Sequence, residues 1–147
     1  VKIGVVNAQE ILQKTKKGIE IQNRLEKLQD QKQQELQKMQ DNIKKLENEV
    51  NSPALNDDTR EKKSMELHNL RKDLKRYVED AQNEIQRESQ KELMELEKAI
   101  MPLIEQLGKA KGFTIILDIT RPGIVYFDAA IDITDEVIKA VDAQAIK

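Results

Sequence analysis

The chain of 147 residues contains no cysteine, no tryptophan and a single histidine, His68. The absence of cysteine excludes disulfide bonds and thiolate metal sites, and one histidine excludes a site built from several histidines. No apolar run approaches the length of about 20 residues that a membrane-spanning helix requires. Charged residues make up 35% of the chain and aromatic residues only 3%, which is typical of long helices and coiled coils rather than of a compact core.

Glycine is absent between Ile19 and Leu107, and the only proline-bearing break in the middle of that stretch lies at residues 51–58. Glycine and proline are the strongest local signals that end a helix. The sequence therefore predicts a long antiparallel helical hairpin over residues 8–111, with its tip near residues 51–58. Pro102 is expected to kink the second helix, because proline removes a backbone hydrogen bond there.

Apolar residues along both predicted helices recur at the spacing of a coiled-coil seam. Polar residues interrupt the seam at 29–35 in the first helix and at 86–92 in the second. In an antiparallel hairpin we expect these two polar segments to lie near one another and to form a loosened zone. The seam positions are Ile21, Leu25, Leu28, Leu36, Met39, Ile43, Leu46 and Val50 in the first helix, and Leu67, Leu70, Leu74, Val78, Ala81, Ile85, Leu96, Ile100, Leu103 and Leu107 in the second.

Strand-like segments occur only at the two ends of the chain. Residues 2–6, 113–119 and 124–127 are short runs rich in β-branched residues, which favours strands. A turn at residues 121–123 separates the last two runs, with proline and glycine in the order of a type II turn.

Capping residues set the expected helix ends beside these strands. Asn7, with Glu10 three residues later, predicts a capping box and a helix starting at about Ala8. Gly18 marks an expected bend in that helix. Thr134 is expected to cap a last helix that runs from Asp135 to about residue 145.

The strands and the last helix predict a small β head made of residues 1–7 and 112–147. A unit of that size rarely has a self-sufficient core, so we expect it to oligomerise. Closure of its short strands into a barrel shared by several chains would remove open strand edges. The fold class is therefore predicted to be mainly α, with a long helical hairpin projecting from an oligomeric β-barrel head. The predicted oligomer contacts are Ile3, Val5, Ile115, Leu117, Val125 and Phe127.

Catalytic and cofactor motifs are not found in the sequence. It has no phosphate-binding glycine-rich loop of the G-x-x-x-x-G-K-[ST] type. An acidic cluster near the C-terminus does not have the spacing of a calcium loop, and capping with solvation is the favoured interpretation. His68 is interpreted as a solvated helix residue. We therefore expect no enzyme activity, no cofactor and no metal. The acidic cluster comprises Asp128, Asp132, Asp135 and Glu136.

Charge is segregated along the second helix, although the whole chain has a formal charge of only −2. Between Arg60 and Arg76 there are seven basic and three acidic residues. Two interpretations stay open: neutralisation across the hairpin, or a basic region near the tip that contacts clients or anionic surfaces. Nucleic acid is not an expected partner, because Tyr77 is the only aromatic residue near these charges. The candidate contact residues are Arg60, Lys62, Lys63, Arg71, Lys72, Lys75 and Arg76.

Three terminal segments carry a family resemblance. Residues 2–12, K-I-G-V-V-N-A-Q-E-I-L, resemble the mature start of the Skp/OmpH family of periplasmic chaperones. Residues 113–119 with 125–127 are similar to the C-terminal strands of that family. Residues 132–141, D-I-T-D-E-V-I-K-A-V, are similar to its closing helix.

The resemblance implies a jellyfish-shaped homotrimer whose strand barrel carries three helical tentacles around a cavity. It implies an ATP-independent holdase in the periplasm that binds unfolded outer-membrane β-barrel proteins, with any signal peptide already removed. Anionic membrane surfaces or lipopolysaccharide are further candidate partners, although well-known members are strongly basic and this chain is slightly acidic. Two alternatives remain: a cytosolic prefoldin-type chaperone, whose strands lie between its long helices, and a structural coiled-coil adaptor.

Overall fold

A computed structural model describes residues 1–144, and it is mainly α-helical with one small pair of strands. The mainly α prediction with two long helices is therefore confirmed. Expected residue 145 of the last helix lies outside the described residues. The elements are β1 (Ile3–Val6), α1 (Ala8–Lys14), α2 (Lys16–Val50), α3 (Asp57–Lys111), β2 (Ile115–Asp118) and α4 (Thr134–Ala143), with a 3₁₀ turn at Ala129–Ile131.

The chain divides into two compact units. The terminal unit contains residues 1–24 and the described residues from Ser89 onward, and the hairpin unit contains Leu25–Glu88. The predicted head at residues 1–7 and 112–147 is a smaller part of the terminal unit, and its role as a separate domain stays a prediction.

In the terminal unit, β1 and β2 form a two-stranded parallel sheet. Ile3 pairs with Ile115 and Val6 with Asp118. Parallel strands require a long crossover connection, and here the crossover runs through α1, α2 and α3. On the other edge of β1, the Ile133 amide donates to the Val5 carbonyl at 2.9 Å. β1 is therefore hydrogen-bonded along both of its edges.

Side chains from distant parts of the chain cap the first helix. Asn7 is the N-cap of α1, as predicted, and its side chain accepts a hydrogen bond from the Glu10 amide at 3.0 Å. The reciprocal half of the expected capping box differs. The Asn7 amide donates instead to the Thr134 hydroxyl at 2.9 Å, and Glu10 pairs with Lys14. A long-range contact has taken the place of a local one.

The helix break lies at Thr15 rather than at Gly18. Thr15 has extended backbone between α1 and α2, is fully buried, and accepts a hydrogen bond from the Gly18 amide at 3.2 Å. A Cβ on Gly18 would lie 1.6 Å from the Leu12 carbonyl oxygen. Gly18 is thus required for close backbone approach at the corner, and it lies inside α2.

Residues 124–127 do not form the expected strand, and this part of the prediction is wrong for the single chain. They follow a turn in which Gly123 has a φ of 121°, a conformation that favours glycine. β1 and β2 are the only strands among residues 1–144, and neither pairs with 124–127. A strand needs a hydrogen-bonding neighbour, and within residues 1–144 this segment has none.

The expected cap of the last helix is also corrected. Thr134 is the first residue of α4 and not its cap; Ile133 holds the cap position without a side-chain bond. The Asp132 carboxylate accepts from the Thr134 amide at 3.0 Å. The Thr134 side chain is buried, and its hydroxyl accepts a hydrogen bond from the Asn7 amide. Asp132 therefore caps the start of α4 in its place.

The hairpin unit confirms the predicted turn and seam. α2 ends at Val50 and α3 begins at Asp57, so the connection lies inside the expected 51–58 range. Its core is formed by Ile43, Leu46 and Leu67. Residues near the end of α2 contact residues near the start of α3, and earlier residues of α2 contact later residues of α3. The two helices are therefore antiparallel. Throughout both units the predicted seam positions are buried or half-buried.

Each of the two polar segments has contacts with residues outside the other one. In the hairpin unit, residues 29–36 face residues 77–85. In the terminal unit, Glu92 pairs instead with Arg24 at 2.7 Å. The loosened zone stays a prediction, because these contacts do not measure how tightly the two helices pack at the polar segments. α3 continues through Pro102 as one helix.

Candidate interaction surfaces

The predicted oligomer contacts lie in two different environments within the terminal unit. Val5 is only 2% exposed and belongs to the core of its own chain. Ile3, Ile115 and Leu117 lie on the strand pair with about two-fifths of their surface exposed, at 42%, 46% and 38%. The sheet therefore buries part of its apolar surface and leaves part of it at the surface.

Residues 124–127 present the most exposed apolar surface of the terminal unit after the N-terminal residue. Val125 is 100% exposed and Tyr126 is 83% exposed, while Phe127 is half-buried. Along residues 1–144, no backbone hydrogen bond involves the amides of 124–127. An exposed apolar segment with unpaired amides is the kind of segment that can add to a sheet edge.

Two neighbouring cavities lie beside β2. Their volumes are about 530 Å³ and about 710 Å³, and both are lined by Met101, Ile104 and Ile116. The first also has Asp118 and Arg121 at its border. The surface next to β2 is thus concave and largely apolar, with a few polar groups at one end.

Arg60 holds the loop between α2 and α3. Its guanidinium donates to the carbonyls of Val50, Ser52 and Leu55, each at 3.1 Å. These carbonyls belong to the end of a helix and to the following loop, where backbone acceptors lack helical partners. This candidate contact residue is therefore engaged in holding the loop of its own chain.

Two further candidate cations are paired across the hairpin. Lys63 contacts Glu49 and Arg71 contacts Glu47, both at 2.7 Å. The hydrogen bond from Lys63 lowers the pKa of Glu49, and the positive charges of Lys63 and Lys45 act in the same direction. Neutralisation across the hairpin thus accounts for part of the basic region.

The remaining four candidate cations are exposed. Within residues 1–144 they form no ion pair with another side chain. They are the part of the basic region that is open to a partner in solution. These residues are Lys62, Lys72, Lys75 and Arg76.

Lys32 occupies a half-buried seam position inside the first polar segment. Its Nζ lies 2.5 Å from the Glu84 carboxylate and 5.8 Å from the centre of the Tyr77 ring. The hydrogen bond to Glu84 raises the pKa of Lys32 despite partial burial. In the sequence, Lys32 stands out because it occupies a seam position that is usually apolar. The sequence alone does not identify its partners on α3.

The terminal unit is fastened by carboxylates that sequence reasoning did not single out. Asp118 accepts from the Ala8 amide at 3.3 Å and from the Thr120 hydroxyl at 2.7 Å. Asp142 accepts from the Lys16 amide at 2.8 Å at the start of α2. Burial opposes ionisation of Asp118, but the Thr120 and Ala8 hydrogen bonds and the charge of Arg121 outweigh it and lower its pKa.

The predicted acidic cluster is separated into local roles. Asp128 caps the 3₁₀ turn through the Ala130 amide at 2.8 Å, and Asp132 caps α4. Glu136 pairs with Lys111 at 2.6 Å, and Asp135 lies exposed in the first turn of α4. The capping interpretation of these residues agrees with these contacts.

His68 is exposed on α3, as expected. Among residues 1–144 there is no group of three or more histidine, cysteine or acidic side chains arranged to hold a metal. In the same part of the chain, no helix combines the length and the apolar character needed to cross a membrane.

Comparison with known proteins relates the whole chain to one group. Residues 2–141 match the family described as "Outer membrane protein (OmpH-like)". An uncharacterised protein of Aquifex aeolicus (strain VF5) is 28% identical over 138 residues, covering 93% of this chain and 83% of its own length.

A solved structure shows the same fold. It is the crystal structure of a protein from Caulobacter crescentus CB15, described as a candidate outer membrane chaperone (OmpH-like). The TM-score is 0.86 at 21% identity, over 97% of this chain and 84% of the other. With the strands at both ends of a long helical hairpin and a family match over residues 2–141, the chain belongs to the OmpH-like outer membrane protein family.

Proposed function

We propose that this protein is an ATP-independent holdase chaperone of the periplasm that binds unfolded outer-membrane β-barrel proteins and prevents their aggregation. The family match over residues 2–141 carries this proposal. The related Caulobacter protein is itself described as a candidate outer membrane chaperone. Two long helices with half-buried seams offer many weak contacts, which suits a protein that holds clients without a chemical step.

The proposal includes self-association of the terminal unit into a trimer. The exposed side chains of Ile3, Ile115 and Leu117 and the unpaired residues 124–127 support it. β2 has a strand neighbour on one edge only among residues 1–144, so 124–127 of a second copy can add to the free edge. If each copy adds its residues 124–127 to β2 of the next copy, the copies form a closed ring when the rotation between neighbours is a whole fraction of a turn. Val5 is buried in the core beneath this surface, and the half-buried Phe127 adds to its apolar area.

The observed order of elements favours this proposal over a prefoldin-type chaperone. The strands precede α1 and follow α3, and residues 51–56 between the long helices contain no strand. A ring of several chains would bring several hairpins around one space, where repeated weak contacts raise the effective concentration of binding sites.

Light scattering by an unfolded outer-membrane porin, diluted from urea with and without the protein, tests the holdase proposal. We expect the protein at a molar excess of trimer to suppress scattering without ATP. An unchanged scattering curve contradicts the proposal. A pull-down that recovers one folded protein in fixed stoichiometry, with no unfolded porin, would favour a structural adaptor instead.

The exposed cations of the hairpin unit are proposed as a contact for anionic surfaces or acidic client segments. Lys62, Lys72, Lys75 and Arg76 support this because they lie free of ion pairs among the described residues. Sedimentation with vesicles of anionic or neutral lipid tests it. We expect binding to anionic vesicles at low salt that weakens with added salt, since screening shortens the reach of surface charges. Equal recovery with both lipids contradicts a charge contact.

A further inference from the structure

A cavity of about 420 Å³ lies between α2 and α3 inside the hairpin unit. Its apolar lining comes from Leu36 on α2 and from Val78, Ala81 and Ile85 on α3. Gln33 and other exposed polar side chains lie at its border, so the cavity opens to solvent. The volume falls in the range of about 300–1,000 Å³ that is usual for ligand sites.

The cavity follows from a mismatch between the two seams. α2 is polar from residue 29 to residue 35, whereas the facing part of α3 keeps its apolar residues Val78, Ala81 and Ile85. Glutamine amides favour water, so their side chains do not fill the space above an apolar floor. Ala81 deepens the floor because its side chain is small. Apolar surface on α3 therefore lacks a full cover from its own chain.

One wall of the cavity is held in place before any ligand binds. The Tyr77 hydroxyl donates to the Lys32 carbonyl at 3.4 Å. The Lys32 ammonium lies 5.8 Å from the centre of the Tyr77 ring and is paired with Glu84. These contacts fix an aromatic ring beside an apolar floor, and a preformed wall reduces the ordering cost of binding.

We propose that this cavity binds one aromatic side chain of an unfolded polypeptide. An apolar cavity of about 150 Å³ is large enough for benzene, so the volume here accommodates a single ring with space to spare. Aromatic rings favour offset or edge-to-face contact, which the Tyr77 ring offers. The amides of Gln33 and Gln82 at the border are placed to hydrogen-bond the backbone on either side of the bound residue.

The choice of client rests on the proposed function. Outer-membrane β-barrels carry girdles of aromatic residues at both membrane interfaces, separated by alternating apolar and polar positions. An unfolded barrel strand therefore exposes single aromatic side chains at intervals. A site for one ring per hairpin matches that pattern better than a long apolar groove.

The natural absence of tryptophan allows a direct binding test. N-acetyl-tryptophanamide is titrated with the whole protein while indole fluorescence is recorded. We expect a saturable blue shift of the emission. Ala81→Leu, which fills the floor, should remove the saturable component, whereas Ala110→Leu at an exposed position of α3 should keep it. Absence of a saturable shift in the natural protein, or retention of it in Ala81→Leu, overturns the proposal. Far-UV circular dichroism confirms that each variant remains helical.

A second pair of variants tests the site even if Ala81→Leu disturbs the hairpin. Gln33→Trp places an indole at the border of the cavity, and Gln40→Trp places one at an exposed position one heptad further along α2. We expect Gln33→Trp to emit at shorter wavelength and to be quenched less by acrylamide. Equal emission and equal quenching in the two variants contradict an aromatic site.

The porin assay separates this inference from the holdase proposal. Reduced suppression of aggregation by Ala81→Leu, with Ala110→Leu unchanged, supports a client role for the cavity. Full suppression by Ala81→Leu overturns that role and leaves the holdase proposal standing. If the natural protein does not suppress aggregation but binds N-acetyl-tryptophanamide in a saturable way, the holdase proposal fails and the aromatic site stands.

Discussion

The terminal unit and the hairpin unit are stabilised in different ways. The terminal unit joins residues far apart in sequence: Asp118 accepts from Ala8, Thr134 from Asn7, and Asp142 from Lys16. The hairpin unit is held by a repeated apolar seam and by ion pairs between its two helices. The terminal unit is therefore stabilised by a few individual long-range hydrogen bonds. The hairpin unit is stabilised by the regular repeat of apolar residues along its two helices.

The two units also differ in the apolar surface that they leave open. In the terminal unit it lies on β1 and β2 and on residues 124–127, whose amides are unpaired among the described residues. In the hairpin unit it lines a cavity between helices, where backbone groups are already paired. The first suits contact between copies of the chain, and the second suits side chains of a client.

The largest expected effect concerns assembly. Val125→Asp combined with Tyr126→Asp should convert the proposed trimer of 17.0 kDa chains into single chains, because a buried interface aromatic commonly contributes about 2 kcal/mol or more. Both side chains are exposed in the single chain, so its own fold should be retained. Analytical ultracentrifugation measures the mass. Met65→Asp, at an exposed apolar position of the hairpin unit, is the matched control and should leave the mass unchanged.

The corner between α1 and α2 should be the most sensitive backbone position of the terminal unit. Gly18→Ala places a methyl group against the Leu12 carbonyl, and the required shift should lower the free energy of unfolding by about 3 kcal/mol. Gly108→Ala is the control, since its Cβ meets only the Ile116 side chain at 3.2 Å and alanine favours the helix. Urea unfolding compares the two variants. A similar small effect for both would show that the corner relaxes easily.

The loop of the hairpin unit should respond less strongly. Arg60→Gln removes the charged donors to three carbonyls and should reduce the free energy of unfolding by about 1.5 kcal/mol. Lys62→Gln, at an exposed neighbouring position, should change it by no more than about 0.5 kcal/mol. Equal effects in urea unfolding would mean that the Arg60 contacts do not stabilise the loop.

The smallest expected effect is the pH dependence carried by Asp118. Because its pKa is lowered in the folded state, the ionised group stabilises the fold above the ordinary aspartate pKa, and this contribution is lost as pH falls through the folded value. Asp118→Asn should lower the urea midpoint at neutral pH, and the difference from the natural protein should shrink as pH falls below the ordinary aspartate pKa of about 3.9 and through the lower folded-state pKa. A constant difference at all pH values would contradict a role for the charge.

The contrast between the units also explains what the sequence could predict. The seam residues, the turn after Val50 and the mainly helical fold follow from periodicity and from the positions of glycine and proline. Such local signals are enough where neighbours in the sequence determine the packing. The hairpin unit was therefore predicted closely, apart from the partners of Lys32.

The terminal unit was predicted less well, because its decisive contacts join distant residues. The break at Thr15, the inward turn of Thr134 and the capping by Asp142 each depend on a partner more than 100 residues away or on close backbone approach. Residues 124–127 have strand composition but no strand neighbour in residues 1–144. Composition indicates what a segment can pair with, but the neighbour itself has to be supplied by the fold or by another chain.

Hydrogen–deuterium exchange of the natural protein at assembly concentrations tests most directly whether the terminal unit is completed by other copies. The amides of residues 124–127 have no hydrogen-bond acceptor within residues 1–144, so in a single chain they should exchange at the rate of unstructured backbone. We expect strong protection of these amides, which is lost on dilution to single chains. Rapid exchange of residues 124–127 at every concentration would contradict it.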